Sequence, residues 1–349
     1  MKTEAVVLRA HGGPEVLVRE TLDLPDPGPR EVRVRVRAVA LNHMDIWVRR
    51  GLPNLKLEYP HRLGCDMAGE LDAVGPGART ALKELKEGDK VVVNPGLSCG
   101  VCERCLTGQD NLCRQYRIFG EHTSGGYSRH LIVPDANLLP YPGDVPFAQA
   151  AAVPLVFLTA WQMVVTKGKV KPGDTVLVQA GGSGVSSAAI QIAKLFGARV
   201  VTTVGSDAKA ERARAIGADD VINYASQDFV AEVRRLTAKR GADIVIEHVG
   251  GEVLAKSVLA TAAGGRIVTC GATAGFQPAI DLRHVFYRQI EILGSTMGPK
   301  GALFGILEHV KAGKLRPVVD RVLPLWEARE AHRVLEAREA FGKVVLEVD

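Results

Sequence analysis

The spacing of hydrophobic positions changes character near residue 150. Before that point apolar residues come in short runs. In 31–40, Arg33, Arg35 and Arg37 alternate with Val32, Val34, Val36 and Ala38, so the predicted strand buries one face and wets the other. Comparable runs predict strands over 4–8, 16–21, 67–74, 90–93 and 127–133, with a proline-rich turn at 25–29. A short helix is predicted over 45–51, with Asp45 as a cap and Gly51 as the stop. Short strands between Gly/Pro turns predict a small barrel-like β domain.

After Pro146 the pattern turns to long helical periods and fully apolar strands. Apolar runs at 175–179, 198–204, 221–224, 242–248, 266–270 and 291–297 give six strands. Helical segments at 185–196, 209–216, 231–239 and 253–263 lie between them. This alternation predicts an α/β domain with a doubly wound six-stranded parallel sheet. A helix over 302–312 and a β-like stretch over 342–348 follow. The apolar stretch 147–165 is interrupted by Gln149, Pro154, Thr159 and Gln162 and reads as a core helix, not a membrane span.

The stretch DTVLVQAGGSGVSSAAIQIAKLFGARVV, residues 174–201, is strand, glycine turn, helix, strand. Glycine lets backbone approach a pyrophosphate, and the helix start offers unpaired N–H groups and a positive dipole end. The three glycine slots fall at Gly181, Ser183 and Ser186, with Gly182 and Gly184 between them and Val185 opening the helix. The predicted ligand is a dinucleotide.

Composition narrows the class. A net charge of +5 over 349 residues, with spread Lys and Arg, argues against nucleic acid as a partner. The first apolar run, four residues before Arg9, is too short for a signal peptide. Of six cysteines, Cys99, Cys102, Cys105 and Cys113 form C-x2-C-x2-C-x7-C in a Gly-containing loop over 95–115. That spacing suits one closed tetrahedral zinc; an iron–sulfur cluster is the alternative, although ferredoxin runs place the fourth cysteine closer. Clustered thiols imply a reducing compartment and a cytoplasmic enzyme. Only Arg104, Arg114 and Arg117 lie near the loop, too few for a nucleic-acid module.

A β domain, a four-cysteine lobe near residue 100 and then a six-strand dinucleotide domain resemble the medium-chain dehydrogenase/reductase superfamily over essentially the whole chain. The resemblance implies a GroES-like catalytic domain, 1–150 with 299–349, and a Rossmann domain, 151–298. It also implies an active site between domains and a homodimer or homotetramer. Zinc alcohol dehydrogenases carry a catalytic zinc on a C-x-x-D segment, a G-H-E segment and a third residue. Those places read Asn42-His43-Met44-Asp45, Gly64-Cys65-Asp66 and Leu155 here. Only Cys65 is a strong ligand, so the resemblance keeps the structural zinc and loses the catalytic one.

The run ALNHMDIWVRRG is similar to the A-x-x-L-N-x-x-D-x-x-x-R-x-G run of quinone oxidoreductases. Asn42 is then an active-site amide, or a side chain tying a turn; His43 matches a position that contacts pyrophosphate, or is a satisfied half-buried histidine; Asp45 is a helix cap or an acid. No residue is assigned as general acid, Trp47 standing where some reductases have tyrosine.

The second strand ends Val204-Gly205-Ser206-Asp207, with no acid where NAD-preferring members hold the ribose 2′-hydroxyl. Ser206 and Lys209 could bind a 2′-phosphate, so NADP(H) is favoured over NAD(H). The family also implies cofactor contacts at Thr159, Val249, Gly271, Ala272 and from Ser295 to Met297. The expectation is an NAD(P)(H)-dependent oxidoreductase acting on a quinone, enone or alcohol/carbonyl pair. Its rivals are a zinc alcohol dehydrogenase with a remodelled metal site, and a non-catalytic NADPH-binding protein.

Overall fold

The computed structural model describes residues 1–79 and 86–349. The chain divides into two compact units, Met1–Leu155 with Pro299–Asp349, and Val156–Gly298. Among the described residues no helix is long and apolar enough to cross a membrane.

The first unit begins with the antiparallel pair β1 (Lys2–Val7) and β2 (Val18–Asp23). Strand β3 (Glu31–Ala40) alternates as its sequence dictates, Val32, Val34 and Val36 inward and the arginines outward. Helix α1 (His43–Arg50) follows, then β4 (Asp66–Val74), β5 (Lys90–Val93), β6 (Gly96–Leu97), α2 (Glu103–Leu106), β7 (Arg117–Ile118), β8 (His130–Pro134) and β9 (Leu138–Pro140). The stretch predicted as one core helix is instead α3 (Phe147–Ala151), α4 (Pro154–Trp161) and a π turn, Gln162–Lys167. Pro154 opens α4, where its missing N–H and fixed φ are tolerated.

The second unit holds β10 (Thr175–Val178), α5 (Gly184–Leu195), β11 (Arg199–Val204), α6 (Asp207–Ala215), β12 (Asp220–Asn223), α7 (Phe229–Leu236), β13 (Ala242–Glu247), α8 (Gly251–Ala260), β14 (Thr261–Thr269), α9 (Leu282–Tyr287) and β15 (Glu291–Gly294). All pairings are parallel, in the order β12-β11-β10-β13-β14-β15. This is the Rossmann order, and it explains why the central strands are apolar on both faces. β15 differs from the apolar runs inside: it is an edge strand, with Glu291 and Ile292 exposed.

The chain then returns to the first unit through α10 (Gly301–Lys311), β16 (Val319–Pro324), α11 (Ala328–Glu336) and β17 (Lys343–Glu347). β17 pairs antiparallel with β3, giving a seven-stranded path β16-β17-β3-β4-β5-β9, with β8 also on β3. The register sets Val345 opposite Ala40. The start of β17 is thereby carried to the end of β3, where α1 begins.

Candidate active site and metal lobe

At the junction of β3 and α1, Asn42 is the N-cap, its backbone extended. Asp45 lies at the third helical position rather than at the cap, and it braces the helix start from inside. One carboxylate oxygen accepts from Asn42 N–H at 2.7 Å and the other from Gly64 N–H at 2.9 Å. Burial pushes its pKa up to about 6, against the pull of those two N–H groups.

The Asn42 side chain is fully engaged. Its Nδ2 donates to Asp66 Oδ2 at 2.9 Å and lies 3.3 Å from Cys65 Sγ, while its Oδ1 accepts from Lys343 Nζ at 2.6 Å. Lys343 also pairs with Asp66 Oδ2 at 3.0 Å, both side chains being buried. The remaining Asp66 oxygen accepts from Leu155 N–H at 2.7 Å. Asn42 is thus a link between a buried cation and a buried carboxylate, and its amide hydrogens already have acceptors. Burial, with Asp66 and Asp45 adding negative charge, drives Cys65 well above the ordinary thiol range. His43 is pushed down by burial and then by the charges of Arg338 and Lys343.

Sequence reasoning missed Lys343. It opens β17, and only the β17–β3 register brings it to Asn42, 301 positions away in the chain. Tyr116 was missed for a related reason. It precedes β7, whose pairing with β6 lays it over Gly96. A Cβ at Gly96 would stand 2.1 Å from the Tyr116 hydroxyl. Tyr116, Leu97, Gln115, Arg117 and His122 line a pocket of about 420 Å³ beside Cys99.

Cys99, Cys102, Cys105 and Cys113 offer sulfurs that all lie within 4.8 Å of one another. Their separations are 3.9 Å for Cys99–Cys105 and 3.6 Å for both Cys102–Cys105 and Cys99–Cys113. A single tetrahedral zinc with bonds of about 2.3 Å separates its sulfurs by about 3.8 Å, so this donor set fits it. An iron–sulfur cluster would spread the sulfurs farther. Backbone N–H groups from Val101 and Cys102 push Cys99 down to about 6, and they would orient it as a thiolate ligand. Among the described residues this is the one group of three or more His, Cys, Asp or Glu side chains placed to hold an ion.

In the second unit the glycine turn leads from β10 into α5. Ser183 caps the helix by accepting from Ser186 N–H at 3.1 Å. A Cβ at Gly181 would stand 2.4 Å from Thr202 Oγ1, so only glycine packs there. Gly181 and Ser183 spend their N–H groups on Thr203 and Ala180. Among the described residues the N–H groups of Gly182, Gly184 and Val185 have no partner within the chain. Orphan donors at a helix start are the donor set a pyrophosphate takes, so the turn fits a dinucleotide. His248 Nε2 reaches Ser183 Oγ at 3.0 Å and Ser186 Oγ at 2.9 Å, a second clamp that no motif announced.

The other positions expected to contact a cofactor mostly follow the C-terminal ends of the strands. Ser206 comes after β11, Val249 after β13, Gly271 and Ala272 after β14, and Ser295 and Met297 after β15, while Thr159 is buried in α4. Ser206 caps α6, its oxygen accepting from Lys209 N–H at 3.4 Å, which leaves the hydroxyl hydrogen to donate elsewhere. Asp207 is held by Asn223 Nδ2 at 2.8 Å. A Cβ at Gly205 would meet the Tyr224 hydroxyl at 2.6 Å, so an acid at that position would displace Tyr224.

A parallel sheet with an anion-ready glycine turn in one unit, and four convergent thiols in the other, β-rich unit, define a class: the nicotinamide-dinucleotide oxidoreductases. Within it, the chain belongs to the medium-chain dehydrogenase/reductase superfamily. Residues 28–143 match the alcohol dehydrogenase GroES-like domain, and residues 184–312 match the zinc-binding dehydrogenase family. An NAD-dependent alcohol dehydrogenase of Sulfurisphaera tokodaii is 31% identical over 340 residues, covering 94% of this chain and 95% of that protein. A quinone oxidoreductase of Pseudomonas aeruginosa is also 31% identical, covering 97% of each. A crystal structure of an NAD-dependent alcohol dehydrogenase superposes with a TM-score of 0.96 at 57% identity, covering 99% of this chain and 100% of that one. The two curated relatives differ in named activity at equal identity, so the choice between them falls to the site.

Proposed function

We propose that this chain is an NADP(H)-favouring reductase of conjugated carbonyls, quinones or enones, that works without a catalytic metal and carries one structural zinc. One observation carries the reading: the buried Lys343–Asp66–Asn42–Cys65 network fills the place where the family's zinc alcohol dehydrogenases gather metal ligands. A zinc there would face an ammonium, an amide, a thiol held protonated by burial, and one carboxylate whose two oxygens are already taken by Lys343, Asn42 and the Leu155 N–H. Catalytic zinc needs three electron-pair donors and an open position.

The same network argues for the substrate class. An alcohol must lose its hydroxyl proton to a positioned base. Asp45 and Asp66 are fully buried and already taken by N–H and ammonium donors, so neither serves. A conjugated acceptor needs no such base, because added hydride spreads negative charge onto its oxygen, and hydrogen bonds in a dry site stabilise it. When bound, the reduced nicotinamide supplies the hydride. Gly182, Gly184 and Val185 would hold the pyrophosphate; Ser206, Lys209 and Tyr224 would hold a 2′-phosphate; His43 remains the proposed pyrophosphate contact of the first unit.

NAD(H) is the second reading for the cofactor, favoured by the name of the structure at 57% identity. We also place a second copy of the chain on the exposed β15 edge, where Phe286, Tyr287 and Ile292 lie open. The test is oxidation of NADPH and of NADH with a quinone, an enone and an aldehyde. The expected result is NADPH oxidation stimulated by the conjugated acceptors. Lys209→Ala should weaken NADPH binding about ten- to a hundredfold and leave NADH nearly unchanged, the effect of one charge-assisted hydrogen bond. Turnover confined to saturated alcohols with NADH would refute the reading.

A further inference from the structure

With the Asn42 amide hydrogens committed to Asp66 and Cys65, the oxygen of a bound carbonyl needs another donor. We propose that Tyr116 is the catalytic residue that donates this hydrogen bond, an assignment that rests on the conjugated-carbonyl reading above.

Three observations converge on it. The Tyr116 ring is half-buried, and among the described residues its hydroxyl has no hydrogen-bond partner, so its proton is free to be donated to a ligand oxygen. The hydroxyl is also given room: it stands over Gly96, where any side chain would begin 2.1 Å from it. Finally, it belongs to the same neighbourhood as the buried network. Asp110, Cys65 and Glu121 are among its electrostatic neighbours, and it opens into the pocket walled by Leu97 and His122. Its backbone N–H bonds to Cys113 O at 3.0 Å, so the metal lobe fixes where the ring sits.

The chemistry balances without a metal. A reduced nicotinamide, when bound, would supply the hydride and its electron pair for a new C–H bond at the β-carbon of an enone. The C=C π pair shifts to join the α-carbon to the carbonyl carbon, and the C=O π pair moves onto oxygen, giving an enolate. Tyr116 donates a hydrogen bond to that oxygen as the charge grows, and water supplies the proton that completes the product. The phenol keeps its own proton, since burial pushes its pKa up.

Tyr116→Phe removes one oxygen that no protein group uses, so the fold should unfold at the wild-type temperature. With cinnamaldehyde, 2-cyclohexen-1-one and 1,4-naphthoquinone as acceptors, kcat should fall about 10²-fold or more, with NADPH affinity unchanged, the usual loss for one oxyanion donor. The infrared carbonyl stretch of cinnamaldehyde mixed with dinucleotide-free protein should lie lower for wild type than for Tyr116→Phe. Gly96→Ala, which keeps the hydroxyl but displaces it, should also lower kcat. A Tyr116→Phe kcat within twofold of wild type, or the same carbonyl stretch in both proteins, overturns the assignment and leaves the reductase reading standing. A wild-type protein that reduces none of the three acceptors overturns the reading itself and, with it, this role.

Discussion

At the scale of single residues, Lys343 sets the character of the site. An ammonium ion and the Asp66 carboxylate, both buried, are tolerable only as a pair, because removing one partner strands the other in a low-dielectric interior. Lys343→Met should therefore lower unfolding free energy by about 3–5 kcal/mol in a urea titration. Adding Asp66→Asn should recover much of that loss, since the stranded charge is then gone. Equal stability of the single and double variants would mean that the pair does not matter. Most of the site was legible only in pieces. The sequence points to Asn42, Cys65 and the four lobe cysteines through local spacing. It could not reveal what Asn42 bonds to, because Lys343 lies 301 positions away and meets it only through the β17–β3 register. Tyr116 and Tyr224 were hidden for the same reason: each is defined by a glycine it faces across a strand pair or between adjacent strand ends.

Among elements, α11 is one whose pattern went unread. Its buried face is Ala328, Ala331, His332 and Val334, set against Arg329, Glu330, Arg333 and Glu336, an amphipathic alternation that the sequence carries plainly. The strands of the second unit were legible because parallel strands covered on both faces must be apolar throughout. The helix starts lie one to two residues ahead of the apolar spacing because Ser183, Ser206 and Asp228 cap them, a role the sequence reading did not assign. α11 is tied to α1 through His332. Its Nδ1 accepts from Arg49 at 3.1 Å, so Nε2 carries the proton and bonds Tyr127 Oη at 3.0 Å. Burial, and then the Arg49 charge, push His332 down to about 3, below its ordinary 6.5. The native chain thus binds fewer protons than the unfolded one between those values. The stability this group contributes is whole above about pH 6.5 and is lost as pH falls toward 3, on the order of 4 kcal/mol in all. Asp45, raised to about 6 from 3.8, works in the opposite sense, its contribution falling as pH rises through that window. Comparing urea midpoints of wild type and His332→Asn from pH 7 to pH 4 isolates the first effect. The variant should show a flatter loss on acidification, and parallel curves would contradict it.

For the whole molecule, the sheet order leaves β12 and β15 as edges, and β15 is the one flanked by exposed Phe286, Tyr287 and Ile292. An open strand edge with apolar side chains invites pairing, and a second copy satisfies both. Ile292→Lys should shift the chain toward monomer in sedimentation velocity; an unchanged assembly would place the interface elsewhere. The division of labour between the metal lobe and the buried network is the account's central claim. The lobe offers a closed set of four sulfurs, and closed coordination stabilises structure without giving substrate a position. The network near Asn42 has its donors spent on one another. The most direct measurement is the zinc content of the purified protein while it is turning over an enone with NADPH. The account predicts one zinc per chain, lost together with thermal stability in Cys102→Ser. Two zinc ions per chain, the second stripped by a chelator with loss of turnover and restored with added zinc, would contradict it.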